Sequence, residues 1–185
     1  MHAPLKTVLT SATALFLVTA SPALAQVGLM SNVATVSLTA TKNPTLSVTP
    51  TASSATLASI TDGSNANNFS PVSLTTSWNL TAGASLQLVG WFAAPAQALA
   101  NGSDFIPSSK VEGRVGAAAY APFTGAPIGG LGVAGGSLLL FNQSVGAGSF
   151  FGSRVDQLDL RLDLTGTTTL AGDYTGTLNL QAIVQ

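Results

Sequence analysis

Leu158, Leu160, Leu162 and Leu164 alternate with Asp159, Arg161 and Asp163, and only an extended chain gathers those four leucines on one side. Successive side chains of a strand point to opposite faces, whereas a helix would scatter them around its axis. The same period of two recurs at Val72, Leu74, Thr76, Trp78 and Leu80, set against Ser73, Thr75, Ser77 and Asn79. It returns at Tyr174, Gly176, Leu178, Leu180, Ala182 and Val184, set against Thr175, Thr177, Asn179 and Gln181. Near the start, Ala34, Val36, Leu38 and Ala40 fall on one face and Val33, Thr35, Ser37 and Thr39 on the other. Pro44 then removes a backbone donor and holds Asn43 in an extended or turn conformation, after which Leu46 and Val48 open another strand.

The segments between these obey the same logic. Residues 56–60 read as a short strand, and 85–93 as the hairpin partner of the strand at 72–80, joined by a turn at Thr81-Ala82-Gly83. That partner sets Leu86, Leu88, Gly90 and Phe92 on one face and Val89 and Trp91 on the other. Residues 95–107 read as a loop with one helical turn near 96–100. Val111, Gly113 and Val115 make a strand whose Lys110, Glu112 and Arg114 face water. Residues 137–141 are strand-like. At least seven strands with turn signals between them and no long helix predict an all-β chain, an antiparallel β-sandwich of immunoglobulin-like arrangement. A small outer-membrane barrel also alternates, but its two aromatic girdles fit poorly with a chain that is 6% aromatic.

The first residues read as an address. Lys6, the apolar run at 8–20 and Ala23-Leu24-Ala25 form a secretory signal peptide over 1–25. The mature chain left by its removal, residues 26–185, contains no His and no Cys, and five basic against seven acidic side chains give it a net charge of −2. No basic patch exists to neutralise phosphates, which excludes nucleic acid as a partner. A disulfide scaffold, a Ser-His-Asp or Cys-His nucleophile and a His-rich zinc site are excluded by composition. Asp159 and Asp163 are about 13 Å apart along one strand, beyond the 5 to 9.5 Å or so of a glycosidase pair. Asp156 and Asp173 have no such fixed spacing. The oxygen-rich run from Asp62 to Asn68 suggests calcium, although Asx turns explain it without an ion. Gly130-x-Gly132-x-x-Gly135 matches a dinucleotide fingerprint but lacks the preceding strand and following helix that give it meaning. The expectation is a protein that is not an enzyme, with no cofactor and no metal.

Two stretches carry a family resemblance. VSLTATKNPTLSV at 36–48 resembles the N-terminal pattern of chaperone–usher fimbrial subunits, in particular the major subunits of the colonisation-factor-antigen group from the alternate chaperone pathway. AGDYTGTLNLQAIV at 171–184 is similar to the Gly-x-Tyr-x-Gly closing strand of such subunits and of spore-coat-U-like secreted proteins. Together they cover about thirty residues at the two ends. The resemblance implies a sandwich lacking one strand, whose groove is filled by the N-terminal extension of a neighbouring subunit. Ala34, Val36, Leu38 and Ala40 would be the donor residues, or the donor would begin nearer Val27-Gly28-Leu29-Met30. Leu178, Leu180, Ala182 and Val184 would lie on the strand bordering the acceptor groove. It further implies division into a signal peptide (1–25), a donor-type extension with its hinge (26–43) and a sandwich domain (44–185). The partners would be copies of itself or related subunits, a periplasmic chaperone and an outer-membrane usher, on a route through the periplasm to a cell-surface fimbrium. A sandwich completed by its own first strand stays open as an alternative. So does a self-contained secreted binding module that contacts a carbohydrate or matrix ligand through Trp91 or the loop at 125–136.

Overall fold

The computed structural model describes residues 35–185. The chain falls into two units, Met1–Ala40 and Thr41–Gln185. Ala34 of the donor-type set, the run Val27 to Met30 and the signal peptide lie outside the described residues. Of the first unit, residues 35–40 have no regular structure, and Val36 and Leu38 are exposed to 81% and 91%.

The second unit is all-β and wholly antiparallel. Its strands are β1 (Thr45–Pro50), β2 (Asn67–Asn68), β3 (Val72–Asn79), β4 (Ser85–Trp91), β5 (Leu99–Asn101), β6 (Asp104–Ile106), β7 (Val111–Val115), β8 (Ala121–Pro122), β9 (Ser137–Ser144), β10 (Phe151–Leu162) and β11 (Asn179–Val184). One sheet has the order β1-β3-β10-β7-β8, with β2 also on β10; a second has the order β11-β4-β9; β5 and β6 form a small hairpin. The inward residues of the two larger sheets meet in one core, Leu74 and Trp78 from β3 and Leu158 from β10 against Leu86 and Leu88 from β4 and Ala182 from β11. A second cluster gathers Phe92, Ile106, Val111, Phe123, Leu162 and Leu164. There the Phe92 and Phe123 rings meet edge to face at 5.2 Å. Gly90 and Gly113 make room for Phe123: a Cβ on either would stand 3.0 Å from its ring.

Four expectations need correction. The strands at 72–79 and 85–91 do not pair with each other, because the turn after Asn79 carries the chain from one sheet to the other. Alternation fixes which face is buried but not which strand lies beside it. Residues 56–60 form no strand; Thr56 is tied to Ser70 through both its amide and its carbonyl, and the stretch runs on as an irregular wall. The stretch at 95–107 is not a plain loop: it holds the β5–β6 hairpin, and its helical turn is a 3-10 turn at Pro95–Gln97. The closing strand is shorter than its alternation predicts. Residues 171–178 are irregular, drawn towards β5 by the bridge between Thr175 and Ala100. Gly176 permits this approach, since a Cβ there would lie 1.9 Å from the Ala98 carbonyl oxygen.

The charged row predicted to face water is only partly open to it, and is paired in register. Arg114 lies opposite Asp159 and Arg161 opposite Glu112 across β7 and β10, and each pair closes an ion pair at 3.0 and 2.6 Å. Both guanidiniums lie over the Tyr120 ring, 4.3 and 4.2 Å from its centre.

Candidate functional site

β11 pairs only with β4, so among the described residues its other edge has no strand beside it. β1 is the corresponding edge of the larger sheet. At one end the two edges converge, where Leu46, Leu80 and Val184 enclose a hollow of about 320 Å³. Away from that end they part, and an open trench of about 900 Å³ lies between the wall at 50–60 and the strap at 169–178. Its floor is core: Val72 from β3, Leu158, Leu160 and Leu162 from β10, and Phe92 beyond β4. Leu178 and Leu180 stand on its rim. The walls are poorly bonded. Residues 57–60 and 176–177 make no hydrogen bond to any other described residue. The apolar floor thus lies between two short lengths of backbone, 57–60 and 176–177, whose polar groups have no hydrogen-bond partner among the described residues.

The strap is held by side chains. Asp62 Oδ1 accepts from the Thr169 amide at 3.1 Å and from its hydroxyl at 2.8 Å. Asp104 Oδ2 accepts from the Leu170 amide at 3.0 Å and from the Tyr174 hydroxyl. Asn101 Nδ2 donates to the Ala171 carbonyl at 3.3 Å, and Thr175 exchanges both backbone bonds with Ala100. The Tyr174 hydroxyl and then the Leu170 amide, both donating to the charged form, hold the Asp104 carboxyl below its usual value. Desolvation, and then the hydrogen bond to Asp104, push the Tyr174 hydroxyl up. At neutral pH the pair is therefore a carboxylate accepting from a neutral phenol.

The acceptor-bordering residues divide between two places. Leu178 and Leu180 line the trench, Ala182 is buried in the core, and Val184 belongs to the smaller hollow. Leu178 precedes β11 rather than lying within it. Trp91 is half-buried on the outer face of β4, with Asn179 Nδ2 donating to its carbonyl at 3.4 Å. The loop at 125–136 lies against that face, where a Cβ on Gly129 would meet the Ile183 side chain at 2.4 Å. Asp62, in the oxygen-rich run, is engaged with Thr169, and Asn67 accepts from Thr61 N at 2.7 Å. Among the described residues no three His, Cys, Asp or Glu side chains gather as a metal requires. Asp156 is engaged by its neighbour Arg154, whose Nη2 donates to it at 2.6 Å. The strap fastenings were invisible in the sequence. Asp62, Asp104 and Thr169 are far apart along the chain, and although Asp62 and Tyr174 stood within recognisable patterns, neither pattern pointed to this role. No family model, curated protein or solved structure matches this chain.

Proposed function

We propose that the chain is a secreted structural subunit of a fimbria or surface filament, assembling by β-strand donation. The two main sheets read as an immunoglobulin-like sandwich that lacks the strand beyond β11, and the trench is its vacancy. One observation carries the reading: a long trench with an apolar floor, whose walls leave residues 57–60 and 176–177 without hydrogen bonds to other described residues, occurs in the same chain as an alternating segment whose Val36 and Leu38 are almost fully exposed. The exposed segment of one copy supplies what the trench of the next lacks. Main-chain bonds to the walls give affinity, and the alternating side chains entering the floor set the register. Donation is head to tail, and where the rotation between successive copies does not close a ring it yields a filament. An empty trench is an exposed sheet edge, which is why the reading includes a chaperone that covers it before assembly and an usher that delivers it.

The test is electrophoresis in SDS of protein recovered from its native surface fraction, unheated beside boiled. The chain has no cysteine, so a ladder in the unheated lane that collapses on boiling has no disulfide explanation. A heat-labile ladder is expected. A monomer band in both lanes overturns strand donation and directs attention to the binding-module alternative.

A further inference from the structure

Besides the extension, Phe105, Leu139 and Val155 are exposed singly, and two further exposed apolar places lie where the strand-donation reading brings successive copies together. The first is the end of the larger sheet where the extension leaves the domain. Thr45, Asn79 and Phe151 form the last paired row across β1, β3 and β10. Phe151 is 64% exposed and stacks edge to face on Phe150 at 5.1 Å, itself 39% exposed. Phe150 is joined to the same end through its carbonyl, which accepts from the Leu80 amide at 2.6 Å. Val184, 38% exposed, completes this rim beside Pro44 and Leu46. The second place is the far mouth of the trench, where Leu170 is 63% exposed.

We infer that the Phe150–Phe151 rim of one copy packs against the Leu170 mouth of the copy that receives its extension. The inference rests on the strand-donation reading. Chain length supplies the first half of the argument. Ala40 and Thr45 are five residues apart, at most about 17 Å even when fully extended. A neighbour whose trench holds residues up to Ala40 is therefore drawn against the rim from which β1 starts. Phe151 lies two strands from Thr45, about 10 Å across the sheet, and so falls within the contact. Polarity supplies the second half. Every paired strand in the domain is antiparallel to its neighbour. An incoming strand antiparallel to β11 runs from the Leu180 end of the trench towards Leu170, and its Ala40 end emerges there. The partner is thus a second copy of this chain, presenting an exposed leucine to an exposed pair of phenylalanines. Burial of these residues adds to the main-chain bonds of the donated strand and fixes the angle between successive subunits.

The absence of native cysteine makes the test clean. A chain carrying Phe151→Cys and Leu170→Cys is assembled in its native surface fraction and oxidised mildly. It is then boiled in SDS with and without reductant. A ladder that survives boiling and collapses to monomer with reductant is expected. Val155→Cys with Leu170→Cys serves as the control: Val155 is 69% exposed but lies four residues from Phe151, about 13 Å along the same strand. It should give no such ladder. A heat-labile ladder without the disulfide-linked one overturns the inference while leaving strand donation standing. So does cross-linking through Phe151→Cys alone, which would mean rim against rim, or equal cross-linking from Val155→Cys. Absence of any ladder from the cysteine-free parent overturns both. A variant without cysteine gives a second reading. Phe150→Ser with Phe151→Ser should lower the temperature at which the ladder collapses by several degrees, and an unchanged temperature counts against the rim.

Discussion

At the scale of single residues, the trench owes one of its walls to two carboxylates and a phenol. Asp104 holds the Leu170 amide and the Tyr174 hydroxyl together from the β5–β6 hairpin, while both of those residues lie in the irregular strap before β11. Because the folded carboxyl titrates below its usual value, the sign of its pH effect is fixed. Its contribution is complete above about pH 4, the ordinary range of an aspartate, and is lost as pH falls through the lower folded value. Asp104→Asn therefore loosens the strap at neutral pH and makes no difference in strong acid. Hydrogen exchange at the Leu170 and Thr175 amides reads this directly. Faster exchange in the variant at about pH 7, with the difference from the parent shrinking as pH falls below about 4, is expected; equal rates at neutral pH would remove Asp104 from the role. Gly176 acts on the same wall by a different means, since any side chain there is driven into the Ala98 carbonyl.

At the scale of elements, two alternating segments have different fates. The stretch at 72–79 becomes β3, flanked on both sides by β1 and β10, with Leu74 fully buried. The stretch at 35–40 pairs with no strand among the described residues, and its Val36 and Leu38 are exposed. If that segment is a donor, a charge on its apolar face is far more costly bound than unbound, because an unpaired carboxylate buried in an apolar groove costs several kcal/mol. Val36→Asp with Leu38→Asp is expected to abolish the heat-labile ladder while leaving the far-ultraviolet circular dichroism and melting temperature of the monomer unchanged. A ladder of full strength from this variant would assign assembly to another surface. The free half of β10 illustrates the opposite problem. Residues 151–156 pair with β3 alone, and Arg154 and Asp156 face inward there as an ion pair. Inward charge on a bare edge is a known defence against unwanted pairing.

At the scale of the whole molecule, stability rests on packing and ladder bonds rather than charge. The three ion pairs among the described residues, Arg114–Asp159, Arg154–Asp156 and Arg161–Glu112, are all partly open to solvent, and such pairs contribute at most about 1 kcal/mol each before screening. Raising sodium chloride from about 0.05 to about 1 M should change the unfolding free energy from urea titration by less than about 1 kcal/mol. A larger loss would mean that the Arg-Tyr-Arg stack on Tyr120 carries real weight. The all-β class was legible because alternation is a local property: a period of two at Val72 to Leu80 or Leu158 to Leu164 admits only an extended chain with one buried face. Pairing was not legible, and β3 and β4 looked like a hairpin until the sheets separated them. The trench was hidden for the same reason. Its floor comes from β3 and β10, its rim from Leu178 and Leu180, and its straps from Asp62, Asp104 and Thr169. By itself the sequence determined which side chains turn inward, since that depends only on neighbours two residues apart. Only the tertiary structure decided that, among the described residues, β11 is left without an outer partner. An edge is defined by what does not lie beside a strand, and that depends on the path of the whole chain.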